Sequence, residues 1–163
     1  MNQFITSTLL LLFTVTHVFA QQPSLYFEKI TVQNGLSHNK VNCIVKDSRG
    51  FVWLGTDDGL NRYDGNKFTV YRNEPSNKST LSGNIITDLL EDKNGLLWIA
   101  TSDGGTTKYD YCLPPQQQFK QFKNQPGIAT SIPANVINKL QEDQYGYLWL
   151  ATSGHYLLRF NKQ

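Results

Sequence analysis

The chain has 163 residues, of which 39% are hydrophobic and 17% are charged, values typical of a folded domain and not of a disordered segment or a bundle of membrane spans. Its 15 basic and 13 acidic side chains give a net charge of +2 and are spread without long runs. The sequence therefore lacks the basic patch that nucleic acid or anionic lipid would require. Aromatic residues make up 12% of the chain and recur at intervals, which favours β-structure.

The N-terminus resembles an export signal. Residues 4–20 carry no charged side chain, include an apolar run at residues 9–13, and end in Val18-Phe19-Ala20. This pattern predicts a signal peptide over residues 1–20, cleaved after Ala20, and hence a periplasmic or extracellular protein that no longer touches the membrane. The alternative is an uncleaved anchor helix, because no basic residue precedes the apolar run, although the run is at the short limit for a bilayer span.

The two cysteines, Cys43 and Cys112, lie 69 positions apart. Export would permit a disulfide, but two distant cysteines are not a disulfide framework, and free thiols are the preferred interpretation, with a bridge as the alternative. The sequence contains no Cys-x-x-Cys or other spacing typical of a metal or haem site. We expect neither a metal ion nor a cofactor.

A sequence unit occurs three times, at residues 36–56, 81–101 and 132–152. Its tryptophans, Trp53, Trp98 and Trp149, are 45 and 51 positions apart. The same offsets relate the other repeated positions, which are Asn39, Asn84 and Asn135; Asp47, Asp92 and Asp143; Gly50, Gly95 and Gly146; and Thr56, Thr101 and Thr152. Similarity at this many matched offsets identifies a repeat protein.

Each unit predicts short antiparallel strands. In the first unit these are residues 41–46, 51–55, 60–63 and 67–71, separated by turns rich in Asp, Gly and Asn. Gly55 and its equivalents Ala100 and Ala151 are small where a neighbouring sheet would come close. Four strands in about 45 residues is the size of one β-propeller blade. The predicted fold is all-β, built from four-stranded antiparallel propeller blades.

The repeated residues have structural roles in such a blade. One Trp per blade supplies a large apolar surface for packing between sheets. The repeated Asp and Gly are turn formers, with Gly supplying a positive φ. The repeated Asn precedes each first strand, where its amide can bond turn backbone; contact with a ligand is the alternative.

About three blades are predicted, which is too few to close a ring, since propellers have four to eight. Residues 21–35 are predicted to hold a closing strand, followed by blades at residues 36–80, 81–131 and 132–163, the last without its fourth strand. Open sheet faces and edges are unfavourable. We therefore expect an incomplete ring, the N-terminal piece of a longer protein whose remaining blades and sensor domains are its partners.

Two segments carry a specific family resemblance. Residues 47–64 (DSRGFVWLGTDDGLNRYD) and 92–110 (DKNGLLWIATSDGGTTKYD) resemble the two-component regulator propeller repeat, and the likeness extends over essentially the whole chain after the predicted signal. The departures are Thr106-Thr107 in the second unit and Gly154-His155-Tyr156 in the third. Both are expected to lie in turn regions and so to affect loop shape and not blade identity.

The resemblance implies a function. In this family the repeats form the extracytoplasmic sensor, at the N-terminus, of hybrid two-component histidine kinases, and many such sensors resemble detectors of oligosaccharides. Dimerisation is an expectation from signalling across a membrane. No phospho-acceptor histidine region, Gly-rich ATP motif or receiver pattern is present in this sequence, so we do not expect the chain itself to be an enzyme, and no catalytic residue is predicted.

Ligand contacts are expected in the loops that precede first strands and join second to third strands, because these share one face of a propeller. The candidates for ligand binding are His38, Asp57, Asp58, Asp103 and His155. The alternative for each is a solvated turn residue.

Two other functions remain possible from the sequence. A secreted propeller enzyme, sialidase-like or lyase-like, is disfavoured because the sialidase Asp box (Ser-x-Asp-x-Gly-x-x-Trp) places Asp two residues before Gly, whereas Asp47 lies three before Gly50. A protein-interaction propeller of the WD type is disfavoured because no blade ends in Trp-Asp.

Overall fold

The computed structural model describes residues 25–154 and 156–162. The predicted signal peptide and its cleavage site after Ala20 lie outside these residues, as does the candidate ligand residue His155. Within them the chain forms eleven β-strands and two short 3-10 helices. No helix in this part of the chain is long and apolar enough to cross a membrane.

The strands form three antiparallel sheets in which neighbours in sequence are neighbours in space. The first sheet contains β1 (Val41–Lys46), β2 (Val52–Thr56), β3 (Gly59–Tyr63) and β4 (Phe68–Tyr71). The second contains β5 (Ile86–Glu91), β6 (Leu97–Thr101), β7 (Thr106–Tyr109) and β8 (Phe119–Phe122). The third contains β9 (Ile137–Glu142), β10 (Leu148–Thr152) and β11 (Leu157–Phe160). This confirms the predicted all-β blade architecture. The prediction that Thr106 and Thr107 lie in a turn is wrong, because both are buried in β7, paired with Ala100 and Ile99 of β6.

The turns between first and second strands follow from the repeated Asp and Gly. Gly50, Gly95 and Gly146 have φ values of 95°, 76° and 87°, in the left-handed region that favours glycine. In each turn the Asp carbonyl accepts a hydrogen bond from the amide of its Gly, at 2.8 to 3.0 Å. The predicted turn-forming role is therefore confirmed in all three units.

The sheets stack face to face through their first strands, with β1 against β5 and β5 against β9. A β-carbon added to Gly55 would lie 2.5 Å from Cγ2 of Ile86 in the next sheet, so only a residue without a side chain fits there. Two hydrophobic cores fill the two junctions between sheets. Trp53 belongs to the core between the first and second sheets, and Trp98 to the core between the second and third.

The segment predicted as a closing strand differs from the expectation. Residues 25–31 are not in a strand, and Thr31 caps a short 3-10 helix at Val32–Asn34. These residues would supply the fourth strand of the third sheet. They precede the first sheet, and the second sheet lies between the first and the third, so they have no strand beside them to pair with among the described residues. Closure of a complete ring by this segment stays a prediction.

Candidate functional site

Two sets of loops lie at one end of the sheets, which we call the loop face. The first set precedes the first strand of each sheet and comprises residues 36–40, 72–85 and 123–136. The second set connects the second strand of each sheet to its third. Antiparallel pairing places these segments at the same end. The Gly59 amide donates to the Asn84 carbonyl at 2.7 Å, and the Gly105 amide donates to the Asn135 carbonyl at 2.8 Å. Each connection is thus joined to the loop of the next sheet.

The repeated asparagines hold these loops in shape. The side-chain oxygen of Asn84 accepts from the backbone amide of Asn73 at 2.7 Å, and that of Asn135 accepts from the amide of Asn124 at 2.7 Å. Asn39 accepts in the same way from the amide of Val32 at 3.0 Å. This confirms the structural role that the sequence predicted for the three asparagines.

Of the predicted ligand residues, Asp57 and Asp58 form ion pairs on the loop face. Asp57 accepts from Nζ of Lys40 at 2.8 Å and from Nδ2 of Asn42 at 2.8 Å. Asp58 accepts from the guanidinium of Arg72 at 3.2 and 2.9 Å. The hydrogen bonds from Asn42 and Lys40 lower the pKa of Asp57, and those from Arg72 lower the pKa of Asp58. Both carboxylates are therefore ionised at neutral pH.

Asp103 and His38 have partners in the backbone. Asp103 accepts from the amides of Asn84 at 3.0 Å and Ile85 at 3.3 Å. Nδ1 of His38 accepts from the amide of Lys40 at 3.1 Å. The structure therefore brings four of the five predicted residues to one face, two in ion pairs and two in turns. Nothing in this arrangement resembles an acid and base pair around a reacting atom.

Three residues of this surface were not predicted from the sequence: Lys40, Asn42 and Arg72. The side chains of Lys40 and Arg72 remain 66% and 48% exposed despite their ion pairs, so both can contact a ligand. A signal for Lys40 was present, since the other repeats have Ile85 and Val136 at its position. Lys40 is thus a charged residue at a position that is apolar in the other two repeats.

Two clefts lie between outer strands of neighbouring sheets. One, of about 530 Å³, is lined by residues that include Tyr71, Arg72, Pro115 and Phe119. The other, of about 470 Å³, runs along β11 and is lined by residues that include Phe122, Ile128, Ile132 and Leu158. His38, Asp57, Asp58 and Asp103 line neither cleft; Arg72 connects the first cleft to the loop face through Asp58.

At the opposite end of the sheets, each repeated Asp receives a hydrogen bond from the Nε1 of the Trp in its own unit. The distances are 2.9 Å from Trp53, 2.8 Å from Trp98 and 2.8 Å from Trp149. Burial acts to raise the pKa of Asp47, but the bonds from Trp53, Phe51 and Arg49 outweigh it and hold the pKa below its usual range. The repeated Asp thus anchors the Trp as well as forming the turn.

Both cysteines are free thiols. Cys43 faces the second sheet, where burial and the nearby Asp88 raise its pKa to about 12, so it is inert as a nucleophile. Cys112 is exposed in the connection between β7 and β8. Within residues 25–154 and 156–162 no group of three or more His, Cys, Asp or Glu is placed to hold a metal ion.

The sheets and their repeated turns are those of consecutive β-propeller blades. The family model described as "Two component regulator propeller" matches the chain three times, at residues 35–58, 80–103 and 131–154. Each match covers the end of one loop, the first two strands and the following turn. The chain therefore contains three two-component regulator propeller repeats, as its sequence predicted.

Several similar proteins are described as parts of two-component signalling systems. The chain is 37% identical over 79 residues to Histidine kinase P4 of Formosa agariphila, a match that covers 48% of this chain and 6% of the kinase. It is 26% identical to the solved extracellular domain of BT3049 of B. thetaiotaomicron, described as a hybrid two component system, with a TM-score of 0.74 over 83% of this chain and 19% of that domain.

The extracellular domain of BT4673 from B. thetaiotaomicron, also described as a hybrid two component system, is 29% identical, with a TM-score of 0.59 over 76% of this chain and 16% of that domain. The chain thus spans less than a fifth of these relatives. The two solved extracellular domains share the fold of these sheets.

Proposed function

We propose that this chain is part of the extracytoplasmic sensor of a two-component system and that its loop face contacts an oligosaccharide. The observation that carries the proposal is that the solved relatives are extracellular domains of such systems, while the loop face has exposed ionic side chains with spare hydrogen-bonding capacity. The predicted export signal supports the same location.

The chemistry of the loop face favours a neutral, hydroxyl-rich ligand. The Lys40–Asp57 and Arg72–Asp58 pairs each have zero net charge, so the surface presents donors and acceptors side by side without a field that would attract a polyanion. A sugar with neighbouring hydroxyl groups can donate to a carboxylate and accept from the adjacent cation at the same time.

The proposal is tested by isothermal titration of the complete sensor domain with panels of oligosaccharides. A double variant, Asp58→Ala with Arg72→Ala, removes one exposed ion pair and is expected to weaken binding at least about tenfold, equivalent to losing about 1.4 kcal/mol. Asp64→Asn is the matched control, because Asp64 caps the amides of Asn66 and Lys67 in the turn at the opposite end.

Binding of an oligosaccharide with an affinity that the double variant leaves unchanged would remove the loop face from the proposal. Failure of every oligosaccharide, with a binding response to another class of small molecule, would remove the ligand class. Equal weakening by Asp64→Asn would show that the effect is structural.

A further inference from the structure

The first strand of each sheet has a β-bulge at the same position of the repeat. The pairing of β1 with β2 skips Asn42, which faces no residue of β2. Thr87 of β5 and Asn138 of β9 are skipped in the same way by their pairings with β6 and β10. All three bulged residues are polar, and a bulge commonly re-aims the side chain that it carries.

The bulged side chains join one sheet to the next. Nδ2 of Asn42 donates to the backbone carbonyl of Ile86 at 2.9 Å, and Oγ1 of Thr87 donates to the carbonyl of Ile137 at 2.5 Å. Each acceptor residue is fully buried and lies directly before the bulge of the following sheet. Since the same bond occurs at both junctions, the bulge is a repeated link between first strands.

In the first sheet this link also reaches a carboxylate of the loop face. Nδ2 of Asn42 donates to Oδ1 of Asp57 at 2.8 Å as well. A side-chain amide has two N–H donors, so it makes both bonds at once. At the position of Asp57 the other repeats have the uncharged Ser102 and Ser153. The first sheet thus connects a charged residue of the loop face to β5 through one side chain.

The carboxylate remains accessible to a ligand while it is held in this way. The side chain of Asp57 is 28% exposed, and its second oxygen accepts from Nζ of Lys40 at 2.8 Å. The hydrogen bond from Asn42 is the largest cause of the lowered pKa of Asp57. Asn42 therefore has a stronger influence on this carboxylate than Lys40 does.

We propose that Asn42 is a positioning residue, which holds Asp57 on the loop face and couples the charge of its carboxylate to β5 of the second sheet. A hydrogen bond to an ionised acceptor is about twice as strong as one to a neutral acceptor. Neutralising Asp57, or engaging it with a ligand hydroxyl, weakens its bond with the Asn42 amide. The same amide then changes its other hydrogen bond, to Ile86. The use of this coupling in sensing rests on the proposed function, whereas the coupling itself needs no ligand.

The structure supplies a variant that separates the two bonds of Asn42. Thr87 shows that a threonine at the bulge can bond the next sheet, and a hydroxyl has only one donor hydrogen. Asn42→Thr is therefore expected to keep the bond to Ile86 and to lose the bond to Asp57. Asp57→Asn is the complementary change, because it removes the charge and keeps an acceptor oxygen.

The test is a double-variant cycle on the full chain at neutral pH, read by carbon NMR at the backbone carbonyl of Ile86. Asp57→Asn is expected to shift this resonance in the natural background and to leave it in place in the Asn42→Thr background. Asp58→Asn is the matched control, because Asp58 pairs with Arg72 and has the same charge. It is expected to leave the Ile86 resonance unchanged.

A pH titration of the Asp57 carboxyl carbon gives a second readout. Asn42→Thr is expected to raise its midpoint and to leave that of Asp58 in place. Other charged groups surround these residues, and the Asp57→Asn variant separates their titration from that of Asp57. On the loop face they include Lys40, His38, Arg72 and Asp103, and on β5 and the adjoining β9 they include Asp88 and Lys139, which pair at 3.0 Å.

Four outcomes would overturn the proposal. No response of Ile86 to Asp57→Asn would mean that the two residues are uncoupled, and a response that persists in the Asn42→Thr background would mean that the coupling bypasses Asn42. An equal response to Asp58→Asn would indicate a general effect of charge on the loop face. A matching shift at the Ile137 carbonyl, which accepts from Thr87 at the next junction, would indicate a general change in the sheets.

These outcomes are independent of the proposed function. If no oligosaccharide binds the complete sensor domain, the coupling between Asp57 and Ile86 is still measured in the free chain. If the coupling is absent while oligosaccharides bind, the loop face remains the binding surface and Asn42 has no positioning role.

Discussion

The second and third sheets carry nearly the same sequence pattern but differ in what covers them. All five residues of β6 are buried, whereas in β10 only Leu148 and Leu150 are. Trp98 is 1% exposed and Trp149 is half-buried, although both donate to their own Asp at 2.8 Å. The turn and the Trp–Asp bond therefore belong to a single repeat, while the burial of its Trp depends on the next sheet.

The two cores show the direction of this dependence. Trp53 of the first sheet packs with Ile86 and Leu89 of β5, and Trp98 of the second packs in the core that contains Ile137 and Leu140 of β9. Each Trp thus faces the sheet that follows it in the chain. The open face of the third sheet carries Trp149, and a fourth sheet would be needed to bury it in the same way.

The largest expected effect is on the tryptophans. Trp98→Ala removes a fully buried ring and is expected to lower the free energy of unfolding by about 3 to 5 kcal/mol. Trp149→Ala is the matched variant and is expected to cost less than half as much, because its ring is already partly in water. Urea denaturation of the two variants measures the difference. Equal losses would mean that the third sheet is covered as fully as the second.

The second prediction concerns the two Asp residues at these turns. Asp92 is buried and accepts from Nζ of Lys162 at 2.6 Å, and the Lys162 side chain is only 8% exposed. Asp92→Ala removes one of the two carboxylates that hold Lys162 and leaves the buried Trp98 indole without its acceptor, so it is expected to cost about 3 kcal/mol. Asp143 keeps the bonds to Trp149 and the turn but is more exposed, and Asp143→Ala is expected to cost about 1 kcal/mol.

Chemical denaturation of the two Asp variants gives these values directly, and Lys162→Met is the control for the charge. If Asp92→Ala and Asp143→Ala cost the same, Lys162 adds nothing to the second turn.

Most of the fold could be predicted from the sequence, because its determinants lie within each repeat. The Asp and Gly of the turns and the small residue at Gly55 are local or repeated features, and the structure confirms them. The contacts of Lys162 could not be predicted, since it joins Asp92 and Glu142 across two sheets from a position outside the repeated motif. A pairing between repeats leaves no periodic signal.

The candidate site was also predicted only in part, because some of its contacts join residues outside the repeated motif. Position in a propeller loop was sufficient to place Asp57 and Asp58 on the loop face. Their partners Lys40 and Arg72 depend on side-chain reach over 17 and 14 positions, which strand pattern does not specify. From the sequence, the repeated Asp was expected only to form the turn. In the structure its second carboxylate oxygen also accepts a hydrogen bond from the Trp indole six positions later.

The third prediction tests the carboxylates that join the sheets. Glu91 accepts from the amide and the hydroxyl of Ser48, at 2.8 and 2.7 Å. Glu91→Ala is expected to cost about 1 kcal/mol and to speed hydrogen exchange at the Ser48 amide. Lys46→Ala, at the equivalent exposed position of the first sheet, should change neither quantity. Unchanged exchange at Ser48 in Glu91→Ala would contradict the proposed contact between sheets.

The smallest expected effect is on acid titration. Burial acts to raise the pKa of Asp92, but hydrogen bonds from Lys162, Trp98 and the turn amides outweigh it and lower the pKa. The hydrogen bond from Trp149 lowers the pKa of Asp143. A carboxyl with a lowered pKa in the folded state stabilises the fold above its unfolded value, about 3.9, and this contribution is lost as the pH falls further.

Stability is therefore expected to be level above about pH 5 and to fall below about pH 4. Lys162→Met removes the cation from Asp92 and leaves Asp143 untouched, so the carboxyl carbon of Asp92 should titrate at higher pH in this variant while that of Asp143 stays in place. Carbon NMR of the two side chains measures both in one sample. A shift of both carboxyls together would mean that the turns of the second and third sheets are coupled, and that the difference between them does not arise from Lys162.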